Sequence, residues 1–419
     1  MAESIQTPGR KRLPVLLTAI FIVGGAWGVA ILATSWYARH HYQAALKSLA
    51  DFDLDQAQEH LTKCLKARPH DSEALLLAAR TARRRGDLPS FDQYLHAYEQ
   101  VQGISSAGDL EKHLLQAQEG DLIQVEKSLK GKVEAEDSNS GLILEALGQG
   151  NVMAVHLPEA IGYLNQVLEK QPTNYLALYW RGKAWENWNH FEKAVEDYEK
   201  ALAIHPEFDP ARQGYADSLN RVGRVREAVG QYDLLRRRQP ENSTIVLNLA
   251  GCWEDLHDLD KAQKFVDELL AENPDSVPAL VERGRIGLRT GRVDQADESL
   301  GTALKSAPND RDALFVKWLC LESQGKSEEA AACKGRLEEI QKKKTDKAAL
   351  LRQVVRTPHT PAVRYELGMI YLQDGDDVQA THWLRTALAE DPRYSPARAA
   401  LARVEKRLSP ADRLGAKNE

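Results

Sequence analysis

Cysteine is scarce in this chain, and the few present follow no metal-binding pattern. Cys64, Cys252, Cys320 and Cys333 include no CxxC pair and no Cys/His cluster at zinc-like spacing. That excludes a zinc ribbon and a dense disulfide framework. Lone cysteines of this kind are ordinarily small buried helix residues. A Cys320–Cys333 disulfide across one helical hairpin stays open beside that reading. A basic excess is missing as well. The formal net charge is −6, and the segment through residue 38 sets Arg10, Lys11 and Arg12 against Glu3 alone, so the rest is more acidic still. Phosphate backbones demand a basic surface, so nucleic acid is not expected as a partner. Catalytic signatures are missing too: there is no GxSxG, HExxH, GxxxxGK[ST] or GxGxxG. Adjacent His40 and His41 would diverge by about 100° on a helix and grip one ion poorly, so they suit interface anchoring better than metal binding. Glu328-Glu329 and Glu338-Glu339 read as solvated helix faces. No cofactor and no enzyme activity is expected.

With 28% charged residues the chain has the balance of a folded protein rather than a disordered one, and 419 residues exceed one compact core. Two features stand out. The first is "LPVLLTAIFIVGGAWGVAILATSWYA", residues 13–38, which carries no charge over 26 positions. About 20 apolar residues cross a bilayer as a helix. Arg10, Lys11 and Arg12 precede the run, and Trp36 and Tyr37 close it at interface depth. The run is too long for a cleaved signal peptide and predicts an uncleaved signal anchor. The Lys/Arg bias puts the N-terminus in the cytoplasm and the body on the periplasmic side. Gly24 and Gly28 form a GxxxG through which two such helices could meet as a homodimer; glycine is also simply common in membrane helices.

The second feature is a repeat. Pro172, Pro206, Pro240, Pro274 and Pro308 are spaced by 34 residues, as are Pro358 and Pro392. A fixed period of this length signals stacked helical hairpins. Within one period, Leu178, Trp185 and Trp188 recur at helical spacing. A polar turn follows at Asn189-His190, and a second helix carries Val195, Tyr198, Ala201 and Leu202. Pro206 stops that helix, since proline neither continues a helix nor favours one at the residue before it. Gly182 marks the approach of the two helices, and Ala194 and Ala201 allow close packing.

This arrangement resembles the tetratricopeptide repeat family. Gly148, Gly182, Gly284 and Gly368 take the small place of the first helix, with Ala216 and Ala250 in two units. Ala160, Ala194, Ala228, Ala262, Ala296 and Ala380 take the alanine of the second helix. Leu164, Tyr198, Tyr232, Val266, Leu300 and Leu384 take the bulky place four residues later, and Trp185, Trp253 and Tyr371 the aromatic place. The expected fold is all-α: one N-terminal transmembrane helix, then a right-handed α-solenoid of tetratricopeptide-like hairpins. Its parts are a cytoplasmic tail (1–12), the anchor (13–38), degenerate hairpins (39–140), five regular units (141–310), an irregular unit with an elongated second helix (311–360), a further unit (361–394), and a capping helix with tail (395–419). The Lys342–Lys344 run in the irregular unit reads as a solvated face.

The resemblance implies a groove lined by the first helices. Here that face would hold Tyr179, Lys183, Glu186 and Asn187, then Gln213, Asp217, Asn220 and Arg221, then Arg285 and Arg289, and later Tyr365 and Met369. Mixed charge with Tyr and Met suits an extended peptide. Family members that dock chaperone C-termini hold the carboxylate with Lys and Asn in this face; Asp217, Glu254 and Asp255 would repel one. The expected function is a non-catalytic, membrane-anchored scaffold that binds proteins or peptides in envelope assembly or complex organisation. A cytosol-facing receptor or adaptor and a regulatory subunit of an enzyme complex are the alternatives.

Overall fold

The computed structural model describes residues 32–122, 125–135, 137–357 and 360–405, and these residues hold helices and turns without a strand. They fall into two compact units, divided between Arg238 and Gln239. The first contains α1 (residues 32–50), α2 (Leu54–Ala67), α3 (Ser72–Arg85), α4 (Leu88–Gln102), α5 (Ser106–Gln118), α6 (Glu126–Glu134), α7 (Ser140–Met153), α8 (Leu157–Lys170), α9 (Tyr175–Asn187), α10 (Phe191–Ile204), α11 (Asp209–Arg221) and α12 (Val225–Arg238). The second contains α13 (Ser243–Asp255), α14 (Leu259–Glu272), α15 (Val277–Arg289), α16 (Val293–Ser306), α17 (Arg311–Ser323), α18 (Ser327–Arg356), α19 (Pro361–Gln373), α20 (Asp377–Glu390) and α21 (Ser395–Glu405). Each unit is an all-helical stack of tetratricopeptide-like hairpins.

One turn joins the two helices of every hairpin. Its last residue is left-handed at Phe52, Gly86, Gly120, Val155, Asn189, Gly223, His257, Gly291, Gly325 and Gly375. These positions are 34 residues apart except for two steps, 35 from Gly120 to Val155 and 50 from Gly325 to Gly375. The next residue's amide reaches back five residues, as from Asp87 to the Ala82 carbonyl at 3.0 Å and from His190 to Trp185 at 2.8 Å. That is the six-to-one bond of a Schellman C-cap, which satisfies an orphan carbonyl and reverses the chain. At the other end of the second helices, Arg68, Gln171, His205, Asn273 and Ala307 precede prolines with φ near −130°. Proline excludes the helical region at the residue before it, so the helix stops there.

Between helices the interlock is small against large. A Cβ on Gly182 would meet the Tyr198 ring at 2.9 Å, one on Gly284 would meet Leu300 at 2.8 Å, and one on Gly368 would meet Leu384 at 2.8 Å. Ala160, Ala194, Ala228, Ala262, Ala296 and Ala380 are fully buried. Tyr198 does more than fill its own hairpin, because it also lies against Gly214 of the following first helix. At the turns, Lys193 sits 4.1 Å over the Trp185 ring and Lys261 sits 3.9 Å over Trp253. Helix α18 spans 30 residues, with Lys342, Lys343 and Lys344 exposed along it. All four cysteines are free thiols, with Cys320 buried and Cys333 half-buried.

The expected single-pass protein, with its body on the periplasmic side, needs correction. Among the described residues no helix is long and apolar enough to cross a membrane. The end of the expected span belongs instead to α1, which is a packed repeat helix. Ala38 and Ala45 are buried with Leu61, Cys64, Ala74 and Ala78 of α2 and α3, and Arg68 donates to Ser35 Oγ. His41 meets His60 of α2 with 2.8 Å between their Nδ1 atoms, so it faces a protein neighbour. Residues 13–31, including Gly24 and Gly28, lie outside the described residues.

Candidate peptide-binding surfaces

In the first unit, Tyr179, Lys183, Glu186 and Asn187 ride on α9, and Gln213, Asp217, Asn220 and Arg221 ride on α11. Helical spacing of three to four residues puts each set on one face. Lys183, Glu186 and Asp217 already have work. Lys183 pairs with Glu186 at 3.1 Å, and the other Glu186 oxygen accepts the Tyr198 hydroxyl at 2.6 Å. The Tyr232 hydroxyl donates to Asp217 in the same manner one repeat later. Two buried phenols from second helices therefore reach through to carboxylates on first helices. Burial, with Glu186 beside it, pushes the Tyr198 phenol well above its usual range, and burial likewise raises Asp217. Arg221 is exposed and lies 5.1 Å from the Phe191 ring centroid. Asn187 is exposed, while Tyr179, Gln213 and Asn220 are half-buried, and Asn220 Oδ1 is a buried acceptor without a partner.

In the second unit, Arg285 and Arg289 lie on α15 and serve a buried carboxylate pair. Arg289 donates to Glu254 Oε2 at 2.7 Å, and Arg285 pairs with Glu282. Glu254 and Glu282 are both buried. Burial, with Glu254 alongside, pushes Glu282 up to about 8, and Arg285 only partly opposes this. Tyr365 and Met369 lie on α19 and pack, half-buried, beside Tyr394 and Leu384. Tyr365 meets Tyr394 edge-on at 5.7 Å.

Sequence reasoning missed a buried polar cluster in the first unit. Arg84 binds Glu145 through two bonds of 2.8 and 2.9 Å, and Asn174 adds a third at 2.8 Å. Arg80 and Arg83 share Glu111, at 2.7 and 3.0 Å. Arg84 and Glu145 are 61 residues apart, and no helical periodicity relates them. The run Arg83-Arg84-Arg85 at the end of α3 is the sole trace visible in sequence, and it reads equally well as a C-terminal dipole partner.

Models of the tetratricopeptide repeat match residues 155–207, 223–282 and 281–334. Cellulose synthase operon protein C of Pseudomonas fluorescens is 27% identical over 162 residues, 37% of this chain and 13% of that protein. Tetratricopeptide repeat and J domain-containing co-chaperone DNJ1 of Fusarium oxysporum f. sp. lycopersici is 33% identical over 165 residues, 38% of this chain and 32% of that protein. The chain thus spans less than a third of either relative's length. Among solved structures, PilW, a type IV pilus biogenesis factor, is 21% identical with a TM-score of 0.42, covering 48% of this chain and 94% of its own. The matched residues include the Gly182–Tyr198 and Gly284–Leu300 interlocks, and over them the chain is similar to tetratricopeptide repeats.

Proposed function

We propose that this chain is a non-catalytic scaffold that binds proteins or peptides along the first-helix faces of its repeats. The observation that carries this reading is the composition of those faces. They offer half-buried Tyr179 and Gln213 with exposed Asn187 and Arg221 in one unit, and half-buried Tyr365 and Met369 in the other. Amphipathic rings and amides of this kind hold extended peptide with little entropy lost on ordering. Glu186, Asp217, Glu254 and Glu282 are committed to Tyr198, Tyr232 and the arginines of α15. They shape the face while the uncommitted side chains make contact. Complex organisation through bound segments fits this chemistry.

The test is selection of binders from a displayed random-peptide library on the full chain. Affinity is then measured for Tyr179→Ala, Gln213→Ala, Tyr365→Ala and Met369→Ala. Loss of about tenfold or more in at least one unit, with helicity unchanged, is expected for a buried anchor. Undiminished binding by all four variants removes the first-helix faces as the site.

A further inference from the structure

The first unit contains a cavity of about 410 Å³ whose lining includes Arg83, Arg84, Tyr175, Tyr179, His205 and Phe208. That volume is within the range of small-ligand sites. Its walls are of two kinds. One is aromatic. Tyr175 meets Phe208 edge-on at 5.0 Å, Tyr179 meets Phe208 at 5.1 Å, and His205 lies 4.7 Å from Tyr175. The other is the guanidinium floor supplied by α3.

The floor has unspent hydrogen-bonding capacity. Arg83 is only 3% exposed, its Nε binds Glu111 and its Nη1 binds Gln118 at 2.7 Å. Its Nη2 is buried without a partner. Both Glu111 oxygens are taken, by Arg80 and Arg83, and both Glu145 oxygens are taken by Arg84. No neighbouring carboxylate is left over for the free donor. His205, another lining residue, also has a buried Nδ1 without a partner. The carboxylates on the cavity wall are paired with arginines: Asp55 with Arg85 at 2.7 Å, and Glu207 and Asp209 with Arg238 at 2.7 Å each. A buried donor left unsatisfied destabilises the fold, so a ligand that supplies an acceptor there relieves that cost. A carboxylate matches the guanidinium edge, and an apolar or aromatic body matches the opposite wall.

We infer that this cavity is a binding site for a carboxylate carried on an aromatic or aliphatic body, held by Arg83 and His205 against Tyr175 and Phe208. The carboxylate can come from a free organic acid or from an acidic side chain in a bound peptide. Of the residues named for peptide binding the cavity shares only Tyr179, so the Arg83 and His205 variants test it separately from that reading.

The experiment is calorimetry on the full chain with three probes. They are hydrocinnamate, its neutral amide, and an end-blocked peptide with Glu beside Phe, compared with the same peptide carrying Gln. Hydrocinnamate binding at one site, at least about tenfold tighter than the amide, supports the inference with a free acid as source; a tenfold ratio is about 1.4 kcal/mol. Binding of the Glu peptide alone, with the Gln peptide at least about tenfold weaker, supports it with a peptide as source. Absence of binding by both acidic probes overturns it, as does equal binding of acids and amides. The site is then checked by Arg83→Gln and by His205→Leu. The second variant changes a half-exposed loop residue and keeps the test available if Arg83→Gln unfolds the unit. Acid binding unchanged in His205→Leu also overturns the assignment.

Discussion

The hydroxyl of Tyr198 donates to Glu186 Oε2 at 2.6 Å, carrying a hydrogen bond from the interior of one hairpin to the face of its first helix. Tyr198 is fully buried, so its one polar atom must find a partner, and Glu186 is that partner. Replacing Tyr198 by Phe removes this bond while keeping the ring against Gly182. The expected loss is about 0.5–1.5 kcal/mol in urea unfolding. An unchanged midpoint would show that the pair contributes nothing.

Glycines within helices separate into two classes that respond oppositely to alanine. At Gly182 and Gly214 an added Cβ runs into Tyr198, whereas at Gly162 and Gly230 nothing lies within 4 Å. Gly182→Ala and Gly214→Ala are expected to destabilise by about 1–3 kcal/mol through overpacking. Gly162→Ala and Gly230→Ala are expected to stabilise by about 0.5–1 kcal/mol through helix propensity. Thermal melts of the four variants check this, and shifts of one sign throughout would count against the interlock.

Val155 holds the left-handed turn position with φ 61°, where most other hairpins place glycine. A β-branched residue is strained there by about 1–2 kcal/mol. Val155 is 68% exposed, so its side chain contributes little packing. Val155→Gly is therefore expected to stabilise the first unit by roughly 1 kcal/mol, after the entropy that glycine adds to the unfolded chain. Hydrogen exchange of the α7 and α8 amides reports the change, and faster exchange would contradict it.

Glu282 binds its proton more tightly when folded, up to about 8 against a usual 4.5, because it is buried beside Glu254. A raised carboxyl pKa stabilises the fold fully below the unfolded value, and that contribution is lost as pH rises through the folded value. Wild-type stability is thus expected to decline between about pH 5 and pH 8. Glu282→Gln, which mimics the protonated form, should flatten this part of the profile. Melting temperatures of both proteins across that window decide it. A difference independent of pH would show that Glu282 does not titrate in that window.

Much of the fold is legible in neighbouring residues. The proline period marks where second helices end, since the residue before proline leaves the helical region. The alanines at 160, 194, 228, 262, 296 and 380 and the bulky residues four positions later mark the buried stripe, which the structure finds buried throughout. The apolar run at 13–38 reads by composition as a span, yet its last residues are held in α1 by contacts with α2 and α3. Composition does not reveal what a helix packs against. The first-helix faces are legible as faces, but which of their side chains are already engaged is not. Glu186 and Asp217 look like free groove carboxylates until Tyr198 and Tyr232 are seen to reach them.

The helices, their ends and the interlock within a hairpin were legible in the sequence, because each depends on residues of a single hairpin. Tertiary structure alone decided the rest. It brought Arg84 to Glu145 across 61 positions, set Glu254 beside Glu282, and placed Arg83 and His205 on one cavity. Charges buried at such separations leave no periodic trace in the sequence. Their partners are chosen by how hairpins stack, and the cost of burying an unpaired charge then makes those pairings strict.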